Sequence, residues 1–146
     1  MIVGGMAGVL HGSNLVTRDL DVCAPLTREN LARILAALSG LAPQFRMTSG
    51  KLPLSNNPED YVGYKNLCLL TDWGQLDILS EISGIGDYGE VARHTTTVDL
   101  EGTKCRVLDL DSLIVAKKAL NLPKDRQAII ELEAIRERIR GTQRKR

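Results

Sequence analysis

GGMAGVLHGSNLVTRDLDV, residues Gly4 to Val22, decides how the chain is read. Ile2-Val3 ahead of it is apolar and β-branched, so the stretch reads as a buried strand, a double-glycine turn, a short helix over Met6 to His11, and a second strand from Asp19 to Cys23. On a strand, residues i and i+2 point to the same face. Asp19 and Asp21 therefore project together, while Leu20 and Val22 face the core. Two adjacent carboxylates repel each other unless a cation compensates them, and a hard divalent ion such as Mg²⁺ is the usual partner of carboxylates and substrate phosphates. Gly4 and Gly5 allow backbone N–H groups to approach a polyphosphate at a helix start.

Working outward, Thr27 is a fair N-cap for a helix whose apolar positions are Leu31, Ile34, Leu35, Leu38 and Leu41, ending near Gly40 and Pro43. The segment from Thr48 to Tyr64 is rich in Ser, Asn, Pro and Gly and reads as a long loop or a ragged edge hairpin. Asn66 to Thr71 and Gln75 to Leu79 are strand-like around Asp72-Trp73-Gly74, and Thr95 to Leu100 pairs with Lys104 to Leu108 as a second hairpin. Between the hairpins, Gly84 to Arg93 is a glycine-rich loop leading into one helical turn. After Asp109 the stripe Leu110, Leu113, Ala116 and Leu120 marks one helix, and Pro123 opens another through Ala128, Leu132, Ile135 and Ile139.

The expected fold is α/β (α+β): a mixed, mostly antiparallel twisted sheet with packed helices, an acidic cluster at one edge and a C-terminal helical pair. At 146 residues the chain is expected to be one domain, with an α/β core over 1–108, helices over 109–140 and a basic tail over 141–146. A buried strand is an unusual opening for such a domain. Either a helix is missing ahead of Ile2 or the domain manages without one.

The third carboxylate is Asp77, inside Gln75-Leu76-Asp77-Ile78-Leu79. A charged residue in a half-buried strand is costly unless it is paired or ligating. If its strand lies beside that of Asp19 and Asp21, the three carboxylates suit two-metal phosphoryl chemistry.

With these residues in place, the sequence resembles the DNA polymerase β nucleotidyltransferase superfamily. Its signature is a hydrophobic residue with Gly-Gly or Gly-Ser, a spacer of roughly nine to thirteen residues, Asp-hydrophobic-Asp/Glu-hydrophobic, and a later strand Asp. Val3-Gly4-Gly5 opens the motif, thirteen residues from Met6 to Arg18 form the spacer, Asp19-Leu20-Asp21-Val22 closes it, and Leu76-Asp77-Ile78 supplies the late carboxylate. Gly5 stands where many members carry serine. Gly4-Gly5-Met6-Ala7, His11-Gly12 and Thr17-Arg18-Asp19 look most like small bacterial minimal nucleotidyltransferases and toxin–antitoxin components.

The resemblance implies a polymerase β-like fold, catalytic and metal-holding roles for Asp19, Asp21 and Asp77, Mg²⁺ or Mn²⁺ as cofactor, a nucleoside triphosphate donor, and transfer of a nucleoside monophosphate to a hydroxyl. The acceptor is left open among a protein, a transfer-RNA end and a small molecule. A partner protein or a second copy of the chain is a further possible partner. Gly4, Gly5, Thr17 and Arg18 are the expected nucleotide contacts, although Arg18 alternates away from the Asp19 face.

Several residues read more simply as structural. His11 lacks a partner at catalytic spacing, Asp109, Asp111 and Asp125 suit helix starts, and Lys117 and Lys118 are expected in solvent.

Composition narrows the alternatives. Lys and Arg number 19 against 18 Asp and Glu, so the net charge of +1 gives no global nucleic-acid or membrane surface. One Trp and one Phe leave no aromatic platform for single strands. Cys23, Cys68 and Cys105 form no CxxC pair and read as buried thiols in a reducing compartment. No leader or spanning segment is evident, so no membrane association and a cytoplasmic location are expected. Two rivals remain: a non-catalytic nucleotidyltransferase-like module that binds nucleotide or protein, and an RNA binder using the basic stretch from Arg136 to Arg146.

Overall fold

A computed structural model describes residues 1–47 and 49–144. Thr48 in the expected loop and Lys145 and Arg146 of the expected tail lie outside the described residues.

β1 (Ile2–Val3) runs into α1 (Gly4–Leu10), followed by β2 (Asp19–Cys23), α2 (Arg28–Leu38) and the short edge strand β3 (Gln44–Phe45). A 3-10 turn at Pro58–Tyr61 then precedes β4 (Asn66–Thr71) and β5 (Gly74–Leu79). The remaining elements are β6 (Glu81–Ile82), β7 (Gly86–Asp87), α3 (Tyr88–Arg93), β8 (Thr95–Leu100), β9 (Thr103–Leu108), α4 (Leu110–Leu120) and α5 (Asp125–Gln143).

Seven strands form one sheet in the order β3-β4-β5-β2-β1-β9-β8, and β6 pairs with β7 apart from it. The β1–β2, β3–β4, β4–β5 and β8–β9 pairings are antiparallel, whereas β2–β5 and β1–β9 are parallel. The mixed, mostly antiparallel sheet with helices packed on it, and the final helical pair, agree with the sequence reading.

Its position for the acidic cluster does not. β2 and β5 are central strands, because the crossover through α2 returns the chain parallel to β2 while β1, β9 and β8 extend the sheet on the other side. Local boundaries shift as well. α1 starts at Gly4 rather than Met6, since Gly4 at φ +61° turns the chain straight from strand into helix. α5 continues to Gln143, so Gly141 to Gln143 are helical rather than tail. In the Thr48 to Tyr64 region the ragged hairpin reduces to a single bridge between Gln44 and Pro53, ahead of the 3-10 turn.

Strand alternation builds a core on each face. Val22, Leu76 and Ile78 pack with Leu67, Leu69 and the α2 residues Leu31, Leu35 and Leu38. Cys23 and Leu79 pack on the other face with Val3, Ala7, Leu113, Ile114, Leu132 and Ile135 from α1, α4 and α5. The Thr27 hydroxyl accepts from Asn30 N–H and caps α2 as expected. Among the described residues no helix is long and apolar enough to cross a membrane.

Leu31 is fully buried in the α2 core, and truncating such a side chain costs transfer energy plus a cavity. Leu31→Ala is expected to lower unfolding stability by about 3 kcal/mol in urea denaturation, while leaving the opposite face of the sheet unchanged.

Candidate active site

The parallel register of β2 and β5 sets Asp21 opposite Asp77 and Asp19 opposite Gln75. Carboxylate oxygens of Asp19, Asp21 and Asp77 lie within 4.8 Å of one another, all three residues half-buried. They open into a cleft of about 800 Å³ that extends past Gly4, Gly5, Thr17 and Arg18 toward Lys117, Leu122 and Asp125. The structure thus brings the seven sequence-selected residues to one cleft. Arg18 sits on its exposed rim.

The glycines act here through what they lack. A Cβ at Gly4 would fall 2.1 Å from Asp21 Oδ2, and one at Gly5 would fall 2.5 Å from Thr17 Oγ1. Gly4 also holds a left-handed φ that favours glycine. The close approach seen is to the protein's own groups: the Gly5 N–H favours the charged form of the Asp21 carboxylate, and the Thr17 hydroxyl donates to Asp19 O at 3.1 Å and approaches Asp19 Oδ1 at 3.4 Å.

Electrostatically the cluster is under tension. Burial raises the Asp21 carboxyl above its ordinary value, the neighbouring charges of Asp19 and Asp77 raise it further, and the Gly5 N–H and Lys117 oppose the shift. Asp77 Oδ2 accepts from Arg46 Nη2 at 2.8 Å, yet Oδ1 is buried without a hydrogen-bond partner. A bare buried carboxylate oxygen within an all-oxygen donor set fits a hard divalent cation.

Other assignments are corrected or completed by packing. Lys117 is not in solvent: its ammonium donates to Asp125 Oδ1 at 2.7 Å, with the two side chains 13% and 9% exposed. Asn121, left-handed at φ 49°, ends α4 and lets the first turn of α5 fold back against its last turn. Asp125 therefore does more than favour a helix start. A signal was present, because Lys117 lies on the apolar stripe between Leu113 and Leu120. Lys118 pairs with Glu133 at 2.5 Å. Asp109 caps α4 through Ser112 N–H, and His11 Nε2 donates to Leu108 O at 2.7 Å, both structural as read. Arg46 was missed, and no local pattern marks it, since its role arises only when β3 pairs with β4.

The sheet order, the strand–glycine–helix opening and the carboxylates on adjacent central strands make this a nucleotidyltransferase fold. Among solved structures it is similar to the lincosamide antibiotic adenylyltransferase LnuA in its lincomycin-bound crystal structure, with a TM-score of 0.60 and 15% sequence identity over 92% of this chain and 85% of that one. At that identity the likeness is one of fold. No family model and no curated protein matches the chain.

Because the folded-state pKa of Asp21 is raised, its favourable contribution is full below the ordinary carboxylate value and is lost as pH rises through the raised value. Metal-free protein is therefore expected to lose stability as pH rises above the ordinary carboxylate range. Asp21→Asn is expected to raise the thermal midpoint at pH 7, by roughly 2–4 °C for each kcal/mol relieved, with no gain under strongly acidic conditions. Gly4→Ala should do the opposite, lowering the midpoint at either pH because the new Cβ collides with Asp21 whatever its protonation. Scanning calorimetry on both variants reads the two signs.

Proposed function

We propose that the protein is a metal-dependent nucleotidyltransferase that moves a nucleoside monophosphate from a nucleoside triphosphate to an acceptor hydroxyl. The observation that carries this reading is the convergence of Asp19, Asp21 and Asp77, with Asp77 Oδ1 buried and unpaired, beside the glycine–helix opening. The whole chain, 1–146, serves as one catalytic domain in this reading.

Asp19, Asp21 and Asp77 would hold Mg²⁺ or Mn²⁺, which when bound screens phosphate charge and lowers the pKa of the attacking hydroxyl. Gly4 and Gly5 leave the Asp21 and Thr17 side chains room at the cleft floor and offer backbone N–H groups to the donor, while Thr17 and Arg18 offer donors to the phosphates. The acceptor oxygen bonds to the α-phosphorus as the bond to the bridging oxygen breaks. Pyrophosphate leaves, and Asp77 completes the site as a metal ligand or as the base that receives the acceptor's proton.

Among protein, transfer-RNA and small-molecule acceptors, the cleft favours a small molecule. Its volume lies within the range of roughly 300–1,000 Å³ usual for such ligands, and partly exposed Leu15, Leu120 and Leu122 line it together with strongly exposed Val16. The lincomycin held by the similar adenylyltransferase is an acceptor of this size class. A toxin–antitoxin component with a protein acceptor is the alternative within the same chemistry.

Calorimetric titration of ATP, GTP, CTP and UTP with Mg²⁺ should show metal-dependent binding of at least one nucleotide to wild type, lost in Asp19→Asn/Asp21→Asn. A donor labelled in its α-phosphate should then pass label to a hydroxylated acceptor only with wild-type protein, turnover in the variant falling at least a hundredfold. Absence of nucleotide binding to both proteins would instead favour a non-catalytic protein-binding module.

A further inference from the structure

Arg46 lies just beyond the edge strand β3 and reaches across the sheet face to β5. Its Nη1 donates to Gln75 Oε1 at 2.7 Å and its Nη2 to Asp77 Oδ2 at 2.8 Å, so one planar guanidinium holds two side chains that share a face of the same strand. The starting point of the side chain is itself fixed, because the Arg46 N–H donates to Cys68 O at 3.0 Å. Cys68 stands directly opposite Asp77 on β4. Arg46 and Asp77 are 24% and 14% exposed at their side chains. The pair is thus largely withdrawn from water, where a fork of this kind is held more firmly than on an open surface.

The consequence falls on Asp77. A carboxyl group rotates readily about its last torsion, but with Oδ2 held by Arg46 the group is pinned, and Oδ1 is the oxygen left uncommitted. Oδ1 is also the buried atom without a partner.

We propose that Arg46 is a positioning residue for the carboxylate triad: its guanidinium fork fixes Asp77 through Oδ2 and so presents Oδ1 to the cation held with Asp19 and Asp21. The proposal rests on the metal-dependent reading of the cleft. Charge and geometry act in opposite directions here. A guanidinium close to a divalent ion repels it, so loss of the charge alone would tighten metal binding, whereas loss of the fork would loosen it. Lysine keeps the charge and removes the fork.

Mn²⁺ affinity, measured by electron paramagnetic resonance on wild type, Arg46→Lys and Arg46→Met without nucleotide, separates the two. Both variants are expected to bind Mn²⁺ about tenfold more weakly, in keeping with the loss of a group that orients a metal ligand. In the transfer assay kcat should fall in both with little change in KM for the nucleotide. Wild-type affinity in Arg46→Lys together with tighter binding in Arg46→Met would overturn the proposal, and so would unchanged affinity in both. Thermal midpoints establish that the variants fold. If they do not, Gln75→Met removes the second anchor without touching Asp77 and should weaken Mn²⁺ binding in the same direction by a smaller factor; unchanged affinity there is equally fatal. Failure of the wild type to bind Mn²⁺ would remove the functional reading along with this one, whereas binding unaffected by the substitutions would remove this one alone.

Discussion

The parallel pairing of β2 with β5 is the constraint from which the remaining structure follows, because it places Asp21 beside Asp77 in the middle of the sheet. A one-residue slip would turn Asp77 toward α2 and bring Leu76 and Ile78 to the cleft. The register resists that slip because Leu76 and Ile78 are packed against Leu67, Leu69 and α2, and Leu79 against the opposite core. Apolar burial on one face thus forces like charges together on the other. The resulting tension is met in part by Arg46 on Asp77, by the Gly5 N–H on Asp21 and by the field of Lys117. A cluster maintained against its own repulsion is a local violation of the rules that otherwise stabilise the fold, and such violations concentrate where a protein binds or reacts.

The opening glycines show how a motif can mark a place before its purpose is evident. A phosphate cradle is the natural sequence reading of a double glycine ahead of a helix. In the folded chain these positions first solve a packing problem: Asp21 and Thr17 occupy the space where side chains at Gly4 and Gly5 would be. The two roles are compatible, since a carboxylate seated this close to the helix start is also in place to hold a cation that a phosphate would share.

How much could be read in advance follows the range of the interactions. The strand at Asp19 to Cys23, the capped helix after Thr27 and both hairpins were legible, because period-two alternation, a threonine cap and short turns are encoded within a few residues. The shared face of Asp19 and Asp21 was legible for the same reason. Asp77 was legible as a misfit, a charge amid apolar neighbours, while its position beside Asp21 was conditional on strand order. The edge location was misjudged because hairpin signals do not reveal the parallel crossover that puts β5 next to β2. Arg46 was invisible for a related reason, since it matters through a partner 31 residues away on another element, whereas the pairing of Asp125 with Lys117, 8 residues away across a helix turn, was signalled only by the place of Lys117 on an apolar stripe.

Those two pairs also bear on how the cleft treats an anion. Its lining carries the cations Arg18, Arg46, Lys117 and Lys124 against Asp19, Asp21, Asp77, Glu81 and Asp125. Arg46 and Lys117 are already engaged by Asp77 and Asp125, which leaves little free positive charge at the end where the triad lies. A triphosphate entering such a cleft alone would meet three converging carboxylates. In the proposed reaction, donor and metal therefore bind as a coupled pair, each improving the site for the other by the same factor. The same balance argues against a polynucleotide lying along the cleft, since a phosphate backbone needs a continuous basic path and gains its affinity by releasing counterions along it. An uncharged or cationic hydroxylated molecule meets neither objection and finds Leu120 and Leu122 partly exposed on the wall beyond Lys117.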